Sequence, residues 1–238
     1  MTTRHLKREQ GVSLAITLSM LLLVMMLGIA AAQIALQGEK LARNERDRQL
    51  AFQAAEAALL DAEMDIAQAS AGSNPAGRFF AADSKRGFPK HGAEPCASGA
   101  RNIHLGMCRL VTAGVSPAWK NIDFLEDSAG TTQTVPYSHF TGRAYPHDAA
   151  SVSARLPRYA IELMADPSMS ALTGKPCYFY RVTAIGFGTR TQVVLQSVYR
   201  KALSAGASGG QSGGRLSWRE IVNWSELNMT GSYRQEQP

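Results

Sequence analysis

Residues Val12 to Ala32 of this 238-residue chain read VSLAITLSMLLLVMMLGIAAA, a run of 21 residues without a charge. At helical rise that run is about 31 Å long, enough to cross the hydrocarbon core of a bilayer. A basic decapeptide, Met1 to Gln10, precedes it with Arg4, Lys7, Arg8 and Glu9, and Gly11 separates the two. Nothing ionisable follows until Glu39. Three readings fit this boundary. A secretory signal peptide would be cut after Ala30-Ala31-Ala32 to leave Gln33 first, but its apolar region is usually only about 7 to 15 residues. A plain single-span anchor would keep the cationic leader cytoplasmic and export everything after Ala32. In the third reading the short leader is cut after Gly11 and the apolar helix is retained.

The next residues favour a retained helix. Residues 33–69 contain no Pro and only Gly38 among glycines, and are rich in Ala, Leu, Glu, Gln and Arg, so intrinsic propensity favours helix throughout. Phe52, Ala55, Leu59, Ala62 and Ile66 recur at steps of three and four and predict one packed face. Glu56, Asp61, Glu63 and Asp65 are expected largely elsewhere, and Glu39 to Gln49 is charged nearly all round. Val12 to Ala69 then reads as one helix of 58 residues, about 87 Å long, with Gly28 and Gly38 as places for a bend.

Residues 70–157 carry turn signals such as Gly72-Ser73-Asn74-Pro75, Gly87-Phe88-Pro89 and Glu94-Pro95, which predict loops with short strands or helical turns. His91, His104, His139 and His147 are dispersed there without ligand spacing and read as loop histidines. Asp123, Glu126 and Asp127 lack the glycine and oxygen-ligand order of a calcium loop and read as a solvated turn. From Arg158 the pattern is strand. Tyr159, Ile161 and Leu163 alternate with Ala160, Glu162 and Met164, and the segments CYFYRVTAIGFG and RTQVVLQSVYR follow, with Gly186-Phe187-Gly188-Thr189 as a candidate turn. Ala205 to Gly214 reads as a flexible linker or exposed loop. Beyond it, Trp218 and Trp224 are expected to dock back on the domain rather than face a partner.

The formal charge of +6 includes a net +2 from the leader, and the remaining positive residues are scattered among acidic ones. No nucleic-acid face is implied. There is no GxSxG, HExxH, Walker A string or complete GxGxxG, so neither an active site nor a cofactor is expected. Of three cysteines, two can pair if the chain is exported. Cys96 and Cys108 are the expected pair, because they close a short loop that Gly99 and Gly106 allow to turn. Cys177 is expected to stay a buried thiol; its recovery joined to either of the others would overturn that assignment.

The basic leader, the charge-free helix and the string Asn44-Glu45-Arg46-Asp47-Arg48-Gln49-Leu50-Ala51-Phe52-Gln53-Ala54-Ala55-Glu56-Ala57-Ala58-Leu59 resemble the N-terminus of the PilX family of type IV pilus assembly proteins. The match runs without gaps from about Gly11 to Glu63. Tyr180 to Ala184 and Val193 to Ser197 resemble that family's C-terminal region. The resemblance implies an α+β pilin-like fold, a long N-terminal helix whose second half packs on an antiparallel sheet of at least three strands. The expected divisions are a leader over 1–11, a helix over 12–69 with its span at 12–32, a periplasmic domain over 70–205, and a linker and tail over 206–238.

It further implies a non-enzymatic minor pilin, cut by a prepilin peptidase between Gly11 and Val12 and methylated on the Val12 amine. The protein would sit in the bacterial inner membrane and then in the fibre, with other minor pilins, the major pilin, the assembly platform and a tip adhesin as partners. Two departures stand out. Val12 occupies a position that is usually Phe in major pilins, and Ile16, fifth in the mature chain, stands where most pilins carry Glu. A type II secretion pseudopilin would share the leader, the helix and the missing Glu, and a binding module on an uncleaved anchor is the other rival.

Overall fold

A computed structural model describes residues 12–68, 80–90, 94–145, 155–202, 213–228 and 230. The chain divides into two compact units between Arg46 and Asp47, and each is described on its own. Helix α1 covers Val12–Gln68 and contributes to both.

In the first unit, residues 13–46 are helical and exposed. Among the described residues one helix is long and apolar enough to cross a membrane, and this is its apolar part. Leu14, Met20, Val24, Met26, Leu27 and Ile34 are each at least 66% exposed, a stripe-free apolar surface that water does not favour. The hydroxyls within it are satisfied inside the helix, Thr17 Oγ1 donating to the Leu14 carbonyl at 2.9 Å and Ser19 Oγ to that of Ala15 at 2.8 Å. A helix in lipid must meet its polar groups internally.

The second unit is built on a six-stranded sheet in the order β1-β3-β4-β5-β6, with the short β2 also paired to β3. The strands are β1 Met107–Val111, β2 Val135–Pro136, β3 Arg158–Ala165, β4 Tyr178–Phe187, β5 Gln192–Arg200 and β6 Gly214–Glu220. Neighbours are antiparallel except β1, which runs parallel to β3. The expected antiparallel core is present, and the parallel strand makes the sheet mixed. Helix α2, Pro167–Thr173, sits between β3 and β4. Asp166 caps it by accepting from the Met169 N–H at 3.0 Å, Pro167 opens it, and Gly174 ends it at φ 68°, the arrangement that helix ends favour. Helix α3 is one turn, Trp224–Leu227.

Period-two alternation puts a core on each face of the sheet. On one side Tyr159, Ile161, Leu163, Tyr180, Val182, Ala184, Val193 and Leu195 pack with Ala51, Ala55, Ala58, Leu59, Ala62 and Ile66 of α1. On the other, Ala160, Ile185, Phe187 and Val194 pack with Trp119, Ile122, Phe124, Ile221 and Trp224. Trp119 belongs to a 3-10 turn at Ala118–Lys120, whose Ala118 N–H donates to the buried Glu162 carboxylate at 2.6 Å.

Three sequence expectations change here. Gly186 and Phe187 continue β4, and the turn lies at 188–191, where the Gly188 N–H reaches the Thr191 carbonyl at 2.7 Å. Gly186 is instead where the sheet touches α1, since a Cβ there would lie 2.0 Å from the Ala51 carbonyl oxygen and 2.3 Å from the Ala55 nitrogen. The second concerns Asp61, Glu63 and Asp65, which lie off the apolar face as expected and are nevertheless buried, because α1 meets protein on both flanks as well as on the sheet side. Lastly, Gly214–Glu220, within the expected linker and tail, is a strand of the sheet. The sequence signal was there in Leu216, Trp218 and Glu220 at alternate positions.

Candidate functional site: the pilin helix and its docking seam

Gly11 lies outside the described residues, as do His91 and His147. Val12 is the first residue of α1, and Ile16 follows one turn later, 55% exposed. From Ser13 to Gly38 the helix presents no ionisable side chain. The first charges, Glu39 and Arg43, pair with each other across one helical turn.

In the second unit, α1 is fixed to the sheet by polar contacts on both sides of its alanine-rich face. Asp47 accepts the backbone N–H groups of Thr189, Arg190 at 3.0 Å and Thr191 at 2.8 Å, so one carboxylate closes the β4–β5 turn. Burial would raise its pKa, but the hydrogen bonds from Thr191, Thr189 and Arg190 outweigh it and hold the group at about 2. Arg48 donates to both carboxylate oxygens of Glu220 at 2.7 and 2.8 Å. One turn on, Phe52 meets the Trp218 ring edge to face at 5.8 Å. Arg215 then joins Glu56 and Glu63, its Nε 2.8 Å from Glu63. Helix positions 48, 52 and 56 therefore meet strand positions 220, 218 and 215, so β6 runs down the flank of the helix.

The opposite flank is held by loop and strand residues. Asp61 accepts from the Ser138 N–H at 2.8 Å and from the Thr141 hydroxyl. The Tyr159 hydroxyl donates to Asp65 at 3.3 Å. Lys201 is buried and donates to the Ile66 carbonyl near the end of α1. Burial lowers its pKa to about 8, with the Asp65 charge opposing.

Cys96 and Cys108 form a disulfide, and Cys177 is a buried free thiol one residue before β4, its sulfur 3.4 Å from the Thr173 hydroxyl. The disulfide binds residues 95–97 along β1, where the Ala97 N–H donates to Met107 at 2.9 Å and the Arg109 N–H to Pro95 at 3.0 Å. Asp123, Glu126 and Asp127 lie in the field of the buried Arg158, whose guanidinium donates to Thr134 and Thr132 at 2.9 Å. Burial pulls the Arg158 pKa down, and those three carboxylates oppose the shift. Of the two tryptophans expected to dock, Trp224 is buried against Phe124 and Trp218 is 41% exposed. Among the described residues no three His, Cys, Asp or Glu side chains gather as a metal site. Sequence reasoning missed the latches at Asp47, Arg48 and Asp61, which are charged residues with no apolar periodicity to reveal them.

No curated protein and no solved structure matches the chain. The family comparison does match, twice. Residues 10–60 fit the PilX N-terminal model, and residues 81–201 fit the model described as Type IV pilus assembly protein PilX C-term. That family is a structural component of pilus assembly whose members work with other pilus components, and the exposed apolar helix suits single-pass anchoring. A long N-terminal helix that opens on a charge-free stretch, and whose second half is latched by charged residues to a mixed sheet, matched along both halves, makes this chain a member of the PilX family of type IV pilus assembly proteins.

Proposed function

We propose that the protein is a minor pilin that primes assembly at or near the pilus tip. It begins with the basic leader in the cytoplasm, the segment 12–32 in the bacterial inner membrane and the globular domain in the periplasm. A prepilin peptidase cuts after Gly11 and methylates Val12. The helix is then extracted into the fibre, where apolar helices of other minor pilins and the major pilin replace lipid. The assembly platform drives that step, and a tip adhesin is a further partner. The Cys96–Cys108 disulfide supports the oxidising side of the membrane.

The observation that carries the tip reading is Ile16, exposed in the stretch 13–38 of the helix, which holds no carboxylate. By family resemblance, a Glu at that position pairs with the N-terminal ammonium of the subunit already in place. Two such charges about 4 Å apart attract by about 4 kcal/mol at an effective dielectric of 20, and leaving one unpaired in an apolar core costs several kcal/mol. Ile16 cannot make that pair, so the subunit is a poor addition beneath another. It can still be first, because its own Val12 amine receives the Glu of the next. Immunogold labelling of purified pili tests this: sparse label at one end supports it, and label spread evenly along the shaft rejects it. Mass spectrometry of the N-terminal peptide tests the processing, with a start at methylated Val12 expected and a start at Gln33 contradicting it.

A further inference from the structure

The two ends of the sheet differ. At one end, residues 95–97 lie along β1 and are held there by the Cys96–Cys108 disulfide, so that edge is covered. At the other end, among the described residues, no strand lies beyond β6. The Ile221 N–H donates to the Val194 carbonyl at 2.9 Å, and the register pairs Arg219 with Gln196 and Ser217 with Val198. Main-chain groups alternate in direction along an antiparallel pair. Those of Ser217, Arg219 and Ile221 therefore point at β5, and those of Trp218 and Glu220 point away from the sheet.

An exposed edge is normally blunted by charged side chains, Pro or a bulge. Here a bulge lies between Val198 and Tyr199, before Ser217, and leaves 217–220 in regular register. The strand GRLSWRE contains no Pro, and of its three charged residues Arg215 and Glu220 are drawn onto the helix, leaving Arg219. It is also held extended by the Arg48–Glu220 pair, the Phe52–Trp218 ring contact and the Arg215–Glu56–Glu63 cluster. An edge already fixed in extended form costs little further ordering when another strand joins it. Apolar side chains accompany it, with Leu216 49% and Trp218 41% exposed.

We propose that the free edge of β6 receives an extended segment of another pilus component, adding a strand to the sheet. Its chemistry follows from the two faces. On the helix side the exposed Trp218 ring calls for an apolar side chain. On the other side Arg219 is exposed and donates to the neutral Gln196, at 2.7 and 3.1 Å, whereas Arg181 and Arg200 on the same face are already paired with Glu162 and Asp166. An acidic side chain belongs there. A second β6 in antiparallel pairing is not the occupant. Antiparallel pairing of β6 with its own copy places a dyad normal to the sheet and reverses the helix packed on it, whereas copies anchored in one membrane share one direction. The inference rests on family membership and stands whether the protein sits at the tip or along the shaft.

The test uses the full chain in detergent micelles and two short probe peptides, one alternating valine with glutamate and the other valine with lysine. The valine–glutamate peptide is expected to slow hydrogen exchange at the Trp218 and Glu220 amides, and the lysine peptide to bind about fivefold more weakly. Arg219→Glu, at an exposed position, reverses that order. The proposal is overturned if neither peptide slows those two amides, if both do so equally, or if the order survives Arg219→Glu.

Discussion

The Ser138 N–H donates to the Asp61 carboxylate at 2.8 Å, joining a loop to the helix across 77 residues of sequence, and Ser138 adopts φ 73° to do so. The left-handed conformation costs an L-residue roughly 1–2 kcal/mol, so the contact outweighs local strain. Asp61→Ala removes the acceptor for both Ser138 and Thr141 and is expected to destabilise the domain by about 1–3 kcal/mol. Ser138→Gly relieves the backbone and keeps the N–H, so its melting temperature is expected to match or exceed that of the parent. Thermal melts of the two variants check both.

Gly186 has backbone on its open side, and a methyl group there cannot be accommodated by rotating a side chain. Gly186→Ala is expected to push α1 off the sheet at a cost of about 3 kcal/mol or more. Gly28→Ala and Gly38→Ala meet nothing within 4 Å and should favour helix by about 1 kcal/mol each. Circular dichroism of the three variants in micelles separates these outcomes.

The disulfide spans a sequence separation of 12. Opening it with Cys96→Ser and Cys108→Ser together is expected to cost about 3 kcal/mol in the chain-entropy model and to free residues 95–97 from β1. Denaturant melts measure the loss. Non-reducing peptide maps of the parent should recover Cys177 alone.

Asp47 and Lys201 give pH dependences of known sign. The Asp47 carboxyl falls from 3.8 to about 2 on folding, so its contribution is full above 3.8 and is lost as pH falls toward 2. Asp47→Ala should flatten the acid limb of the stability profile. Lys201 drops from 10.5 to about 8 on folding, so the unfolded chain binds more protons between those values and stability rises with pH across that window. Lys201→Met should remove this rise, read as melting temperature between pH 8 and 10.

Ile16→Glu restores a carboxylate at the fifth mature position. It is expected to spread immunogold label along the shaft, whereas Ile16→Leu should leave the label where it was.

What could be read in advance follows from how far each signal reaches. The apolar run at 12–32, the helical face through Ala55, Leu59, Ala62 and Ile66, and the strands starting at Arg158 and Tyr178 are all periodic, and periodicity is local. The burial of Asp61, Glu63 and Asp65 depends on Ser138, Ser197, Arg215 and Tyr159, far along the chain, and nothing near a carboxylate announces such a partner. Strand β6 hid behind a Gly/Ser-rich stretch whose composition suggested a tail. Helix α2 carried its own signals, Asp166-Pro167 at the start and Gly174 at the end, between two segments whose strand pattern dominated the region.

The row Ala51, Ala54, Ala55, Ala58 and Ala62 against Ala184 and Gly186 has almost no relief. Side chains of that size make a smooth track, on which a helix can approach the sheet closely, and Leu59 and Ile66 are the few large knobs on that face that resist its sliding along its own axis. Axial position then falls to pins at the track's margins: Asp47 in the β4–β5 turn, Arg48 on Glu220, Glu63 on Ser197 and Arg215, and Asp61 on Ser138. Load along the helix would therefore be borne by hydrogen bonds and ion pairs in shear, and Asp47, the foremost of these pins, would take it first.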